Sequence, residues 1–184
     1  FMYDGQMRMS ALHIAAALNL PDELERAIRS RVPVDSVEHP LQKTALHLAA
    51  ESLHASVVTR LIDEAKPDML DAGGRTPMHS LVLAAGDASA CPNRAEVSQI
   101  FDTLGTVCDL TLKDKLGRTP LALACFSPNP KVKALYSRLH VAVQLAASRG
   151  MSVKKKALAS SRRLSLTMID ANAVITPAMD GVKV

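Results

Sequence analysis

Four stretches of the chain place apolar side chains at i, i+3 and i+4. Asp22 to Arg31 carries Leu24, Ala27 and Ile28. Ala55 to Glu64 carries Val57, Val58, Leu61 and Ile62. Arg94 to Leu104 carries Val97, Ile100, Phe101 and Leu104, and the run from Lys131 carries Val132, Leu135, Tyr136 and Leu139. This period puts the apolar groups on one side of a helix and predicts four amphipathic helices. Ahead of each lies a shorter apolar run that opens on a hydroxyl residue: Ser10, Thr44, Thr76 and Thr119. A hydroxyl before an apolar run accepts a free backbone N–H and starts a helix. Pro77 and Pro120 follow two of these hydroxyls, at the first helical position, where the missing N–H costs nothing. The chain therefore reads as short helix plus longer helix, four times over.

The short runs align with one another. They are Ser10-Ala11-Leu12-His13-Ile14-Ala15-Ala16, Thr44-Ala45-Leu46-His47-Leu48-Ala49-Ala50, Thr76-Pro77-Met78-His79-Ser80-Leu81 and Thr119-Pro120-Leu121-Ala122-Leu123-Ala124-Cys125, with starts 34, 32 and 43 residues apart. Two are preceded by a turn signal, Asp71-Ala72-Gly73-Gly74-Arg75 and Asp114-Lys115-Leu116-Gly117-Arg118. The pattern resembles the ankyrin-repeat family, whose period is about 33 residues and whose signature is T-P-L-H-x-A. The resemblance covers roughly residues 5–145. It implies an all-α fold, an ankyrin-repeat solenoid of paired antiparallel helices with hairpin-like turns. A lone helix pair cannot bury its apolar face, whereas a stack of pairs can. On this reading residues 1–148 form an array of about four repeats and residues 149–184 a basic extension. The first unit departs from the pattern at Arg8 and Ala11, the second has Gln42 where the turn glycine belongs, and the fourth has Ala122 in place of His. The third is about ten residues longer, with the excess at Ala84–Asn93 expected as a loop between its two helices.

Composition supports this picture and narrows the chemistry. Hydrophobic residues make up 48% of the chain, which excludes a disordered polymer, while aromatics are 3%, so the core must be aliphatic. The net charge of +4 is uneven: residues 149–184 hold seven Lys/Arg and two Asp, or +5, leaving fifteen basic and sixteen acidic residues, or −1, in residues 1–148. No nucleic acid is expected for the repeat body, since its charge is balanced. No membrane span is expected, because no apolar run reaches about 18 residues. The opening Phe1-Met2 shows no obvious charged leader and suggests an excerpt of a longer protein, with a true start at Met2 as the alternative. Three cysteines without a CxxC pair point to free thiols in an intracellular setting, cytoplasm or nucleus, or a host cell if the protein is one that bacteria deliver. Cys108 and Cys125 are expected in the core, and Cys91, in the inserted loop, is expected exposed.

No nucleophile motif, phosphate-binding loop or paired catalytic carboxylates occur, so the chain is not read as an enzyme, and no cofactor is implied. His13, His47 and His79 recur at one repeat position without the convergent spacing of metal ligands. The resemblance gives them, with Thr44, Thr76, Pro77, Thr119 and Pro120, a structural role in the repeat. It also implies that the partner-binding positions are the turn tips and the exposed face of each first helix: Pro40, Leu41, Lys43, Glu51 and Ser52 in the second unit; Ala72, Gly73, Arg75, Leu83 and Ala84 in the third; Lys115, Leu116, Arg118, Phe126 and Ser127 in the fourth. Lys43, Arg75 and Arg118 stand just before their threonines and are expected to line up as a basic ridge, with Leu83 and Phe126 as apolar anchors. The function expected is a protein–protein interaction module or scaffold whose partner carries an acidic segment. The alternative is a regulatory or targeting region of a larger enzyme or channel. In that case Lys154-Lys155-Lys156 would target the chain, and Arg162-Arg163-Leu164-Ser165 would be a basophilic-kinase site with Ser165 as the candidate phosphosite.

Overall fold

A computed structural model describes residues 9–86, 94–130, 132–134, 137 and 140. Among the described residues the bounded helices run in chain order α1 (Ala11–Ala17), α2 (Pro21–Arg29), α3 (Ala45–Glu51), α4 (Ala55–Leu61), α5 (Pro77–Gly86), α6 (Arg94–Val107) and α7 (Pro120–Phe126). Among the described residues there is no strand beyond one isolated bridge, between Val37 and Thr44. The short helices start where the hydroxyls predict. Thr44 Oγ1 accepts the His47 N–H and Thr119 Oγ1 accepts the Ala122 N–H at 3.1 Å. Helices α1 and α3 stop at a sharp reversal in which Asn19 (φ 56°) and Leu53 (φ 60°) hold the same repeat position.

The helices form two layers. The first helices α1, α3, α5 and α7 pack side by side in one row, and α2, α4 and α6 form the row behind them. Leu12, Leu46, Met78 and Leu81 from the front row meet Leu24, Leu61, Ile100 and Leu104 from the back row, all fully buried. Ala15, Ala16, Ala49 and Ala50 are buried too, and their small side chains let the front helices approach closely. Phe101 of α6 is buried with this otherwise aliphatic cluster.

Several boundaries differ from the sequence reading: α2 runs from Pro21 to Arg29 rather than from Asp22 to Arg31. Helix α4 ends three residues early, at Leu61, and α6 runs three further, to Val107. The expected loop at Ala84–Asn93 begins later than the sequence suggests. Ala84, Ala85 and Gly86 complete the last turn of α5, with Ala85 buried and its carbonyl accepting from Asn129 Nδ2 at 2.9 Å. The rest of that insertion, with Cys91, lies outside the described residues. Pro130, residues 132–134, Ser137 and His140 are helical, with Val132 buried, whereas Leu135, Tyr136 and Leu139 fall outside the described set.

Candidate functional site

The front helices α3, α5 and α7 are each preceded by a hairpin-like tip, and the tips before α5 and α7 are built by short acids. The Asp71 N–H donates to the Arg75 carbonyl at 2.9 Å, and Asp71 Oδ1 accepts from the N–H groups of Gly73 and Arg75, both at 2.8 Å. Asp114 repeats this arrangement with Leu116 (3.0 Å) and Arg118 (2.9 Å). Gly74 and Gly117 take the left-handed conformation that closes each turn, at φ 71° and 75°. Successive tips are bonded to each other: the Ala72 N–H donates to Leu41 O at 2.8 Å, and the Lys115 N–H to Gly73 O at 3.0 Å. Leu41, Gly73 and Leu116 each stand three residues before the helix-starting threonine, so these bonds bring them into register along one edge.

The three histidines join each unit to the next. In His47, Nδ1 accepts from the Thr44 N–H (3.2 Å) and lies 2.8 Å from Thr44 Oγ1, while Nε2 lies 2.9 Å from the Arg75 carbonyl. His79 makes the same set with Thr76 and the Arg118 carbonyl (3.0 Å). His13 bonds Ser10 and reaches both Ser36 O (3.0 Å) and Lys43 O (3.1 Å). A ring that accepts at Nδ1 and donates at Nε2 is neutral, a tautomer assigned from these partners. Burial pushes the pKa of His47 and His79 down, against the opposing pull of the carbonyls that they bond. These rings are fully enclosed and spent on the backbone. Among the described residues no group of three or more His, Cys, Asp or Glu could hold a metal ion.

The ridge positions share a repeat position but not a state. Lys43 Nζ pairs with Glu51 Oε2, and its side chain keeps only 14% of its exposure. Arg118 folds back onto Asp114, its Nε and an Nη donating to Oδ2 at 3.0 and 2.8 Å. Burial alone would raise the Asp114 pKa, but that guanidinium and the tip amides outweigh it and hold the carboxyl below its usual range. Arg75 makes no ion pair among the described residues; its stem lies over Gly73, where an added Cβ would sit 3.5 Å from Arg75 Nε. The Lys43–Glu51 pair shows that the residue just before the threonine lies beside the residue seven after it. In the next two units that second position is Leu83, 38% exposed, and Phe126, 85% exposed. Leu41 and Leu116 stand out from the tips, Leu116 at 72% exposure. Lys115, at the fourth tip, is also exposed.

The opposite side is different. Arg60 bridges Glu25 (2.8 Å) and Glu64 (3.1 Å), Arg29 joins Glu25, and Arg26 pairs with Glu23. The Arg60 hydrogen bond holds the Glu25 pKa down despite slight desolvation. Charges on the back row are thus largely satisfied within the chain.

The family model of ankyrin repeats, in three copies, matches residues 12–91. These are ankyrin repeats. Among solved structures, the chain resembles the crystal structure of an ankyrin repeat domain from Acinetobacter baumannii AYE, with a TM-score of 0.62 and 22% identity. That likeness concerns the fold; it covers 73% of this chain and 66% of the other, just under two thirds of its length. No curated protein matches the chain. Ankyrin repeats are in general non-catalytic modules for binding other proteins.

The ankyrin stack corrects two expectations. Cys125 is exposed, not in the core. Its repeat equivalents Ala16, Ala50 and Val82 are buried, but α7 is the last front helix among the described residues and no further front helix covers that position. Ser127, expected on the binding face, is buried, and its Oγ accepts the Asn129 N–H at 3.2 Å. Cys108 is buried against the Pro67 carbonyl, and burial raises its thiol pKa, so it behaves as a small hydrophobe. The basic extension with Ser165 lies outside the described residues. Among the described residues no helix is long and apolar enough to cross a membrane.

Proposed function

We propose that this chain is an interaction module that holds an acidic, partly apolar segment of another protein along the edge formed by the tips and the front helices. One observation carries the reading. Four large apolar side chains, Leu41, Leu83, Leu116 and Phe126, stay exposed at matching repeat positions along that edge, while the back row is laced with internal ion pairs. Isolated exposed leucines are ordinary, but an ordered row beside an unpaired cation is the make-up of an interface. Lys43, Glu51, Arg75, Leu83, Lys115, Arg118 and Phe126 all border this edge by repeat position. The array is taken to span residues 1–148, with residues 149–184 as its extension, in an intracellular setting suited to unpaired thiols.

The test is affinity capture with the intact chain, its Leu116→Asp/Phe126→Asp variant and a back-row Arg26→Gln control. Proteins held by the intact chain and the control should be lost by the double variant. Equal capture by all three would remove the edge from the function. A second reading, control through the basic extension, rests on Arg162-Arg163-Leu164-Ser165. Treatment with a basophilic kinase should label Ser165; mass mapping that finds no phosphate there dismisses it.

A further inference from the structure

The unpaired state of Arg75 has a local cause. In the second unit the cation before the threonine, Lys43, is answered by Glu51 on its own front helix. The third unit has Leu83 at the place of Glu51, so no acid of the front helix answers Arg75. Arg118 meets a similar loss, because Phe126 replaces the acid, but it turns to Asp114 instead. The Arg75 backbone is anchored. Its N–H is held by Asp71 Oδ1 and its carbonyl by His47 Nε2, and Gly73 leaves room for its stem. By repeat position its neighbours are Lys43 and Arg118, both closed by acids of their own, while Gly73, two residues before it, stands in register with the exposed Leu41 and Leu116. The arrangement is one guanidinium on an anchored backbone, without an ion-pair partner among the described residues, between two cations that have one.

We propose that Arg75 seats a single carboxylate from an extended partner segment, supplying between chains the pair that Glu51 supplies within the second unit. This rests on the edge being the binding face. The geometry also sets the partner's spacing. Neighbouring front helices lie about 8–10 Å apart by ordinary helix packing. An extended chain advances about 3.3 Å per residue. A bulky apolar side chain about three residues from the acid therefore reaches the Leu116–Phe126 surface of the next unit. Guanidinium–carboxylate pairing suits such a seat because it is planar and two-pronged.

The probe is a phage-displayed library of random peptides about twelve residues long, selected on the intact chain against an unrelated protein. Enriched peptides should carry Asp or Glu with a large apolar residue about three positions away. Their affinity should fall at least about tenfold on Arg75→Gln, equivalent to roughly 1.4 kcal/mol, and partly recover with Arg75→Lys. Leu83→Glu should weaken them similarly by giving Arg75 an internal partner. The Glu23→Gln/Arg26→Gln variant, which removes a closed pair on the back row, should change affinity less than about threefold. Thermal melting checks that each variant is folded. Peptides without an acid, insensitive to Arg75→Gln yet lost on Leu116→Asp/Phe126→Asp, would overturn the carboxylate seat and leave the binding face standing. Peptides indifferent to both, or no enrichment at all, would overturn both.

Discussion

The tip of the second unit and the tips of the third and fourth do the same job with different parts. Tips three and four run five residues from an aspartate to an arginine. Each aspartate side chain takes two tip amides, and a glycine makes the left-handed turn. The second tip runs six residues, from Glu38 to Lys43, with a cis His39-Pro40 bond inside it. Its main-chain closure survives, since the Glu38 N–H donates to Lys43 O at 2.9 Å. Its side-chain closure does not: Glu38 is buried, and its Oε2 finds no partner among the described residues. Gln42 takes the left-handed position at φ 55°. A longer acid in a longer turn no longer lines up with the amides, so the same backbone link is kept at higher local cost.

This contrast can be broken by substitution. The largest effect is expected at Asp71→Ala, which strands two backbone amides; a loss of about 2–3 kcal/mol in urea unfolding is predicted. Glu38→Met should go the other way, gaining about 1 kcal/mol by removing an unsatisfied buried oxygen. If both substitutions cost the same, the two tips are not built differently. A smaller effect follows from the left-handed sites. Gly117→Ala should cost about 1 kcal/mol from backbone strain alone, because an added Cβ meets nothing within 4 Å. Gly74→Ala should cost more, since its Cβ would meet the Lys115 N at 3.1 Å. Gln42→Gly should stabilise by up to about 1 kcal/mol.

The acid dependence sharpens the comparison in another way, through the histidines that grip the third and fourth tips. His47 and His79 have folded pKa values below their usual value near about 6.5, so below that pH the unfolded chain binds more protons than the folded one. Their contribution is fully present above about pH 6.5 and is lost as pH falls through the folded values. The loss approaches about 1.4 kcal/mol per pH unit for each ring still neutral in the fold. Asp114 adds a second loss at lower pH, as its depressed carboxyl finally protonates. Urea midpoints at pH 7.5, 6.5 and 5.5 check the first window; a flat profile would mean that the rings are not held neutral.

Much of this was legible in the sequence because it is local or repeated. The hydroxyl caps, the front-helix apolar positions and the recurrence of His13, His47 and His79 depend on spacing alone, and spacing is written in the chain. The states of the ridge were not legible. Lys43, Arg75 and Arg118 look alike, and what separates them is the residue eight places later, Glu51, Leu83 or Phe126, together with an acid back in the tip. Cys125 shows a similar limit. Its repeat position says buried, but burial there depends on a neighbouring front helix rather than on the residue. The end of α5 was missed because Ala84–Gly86 look like loop until Asn129 is seen to reach their backbone.

The histidine bonds give the array a direction. Each imidazole ties the start of its own helix to the tip of the following unit, so neither can open without the other, and fluctuations in one unit are shared with the next. The run ends at Arg118 O, because the fourth unit has Ala122 and offers no ring onward. Amide hydrogens of α7 should therefore exchange with solvent sooner than those of α3 and α5. Phe126, the most exposed large apolar group along the tip edge, would then ride on the unit most free to adjust its pose.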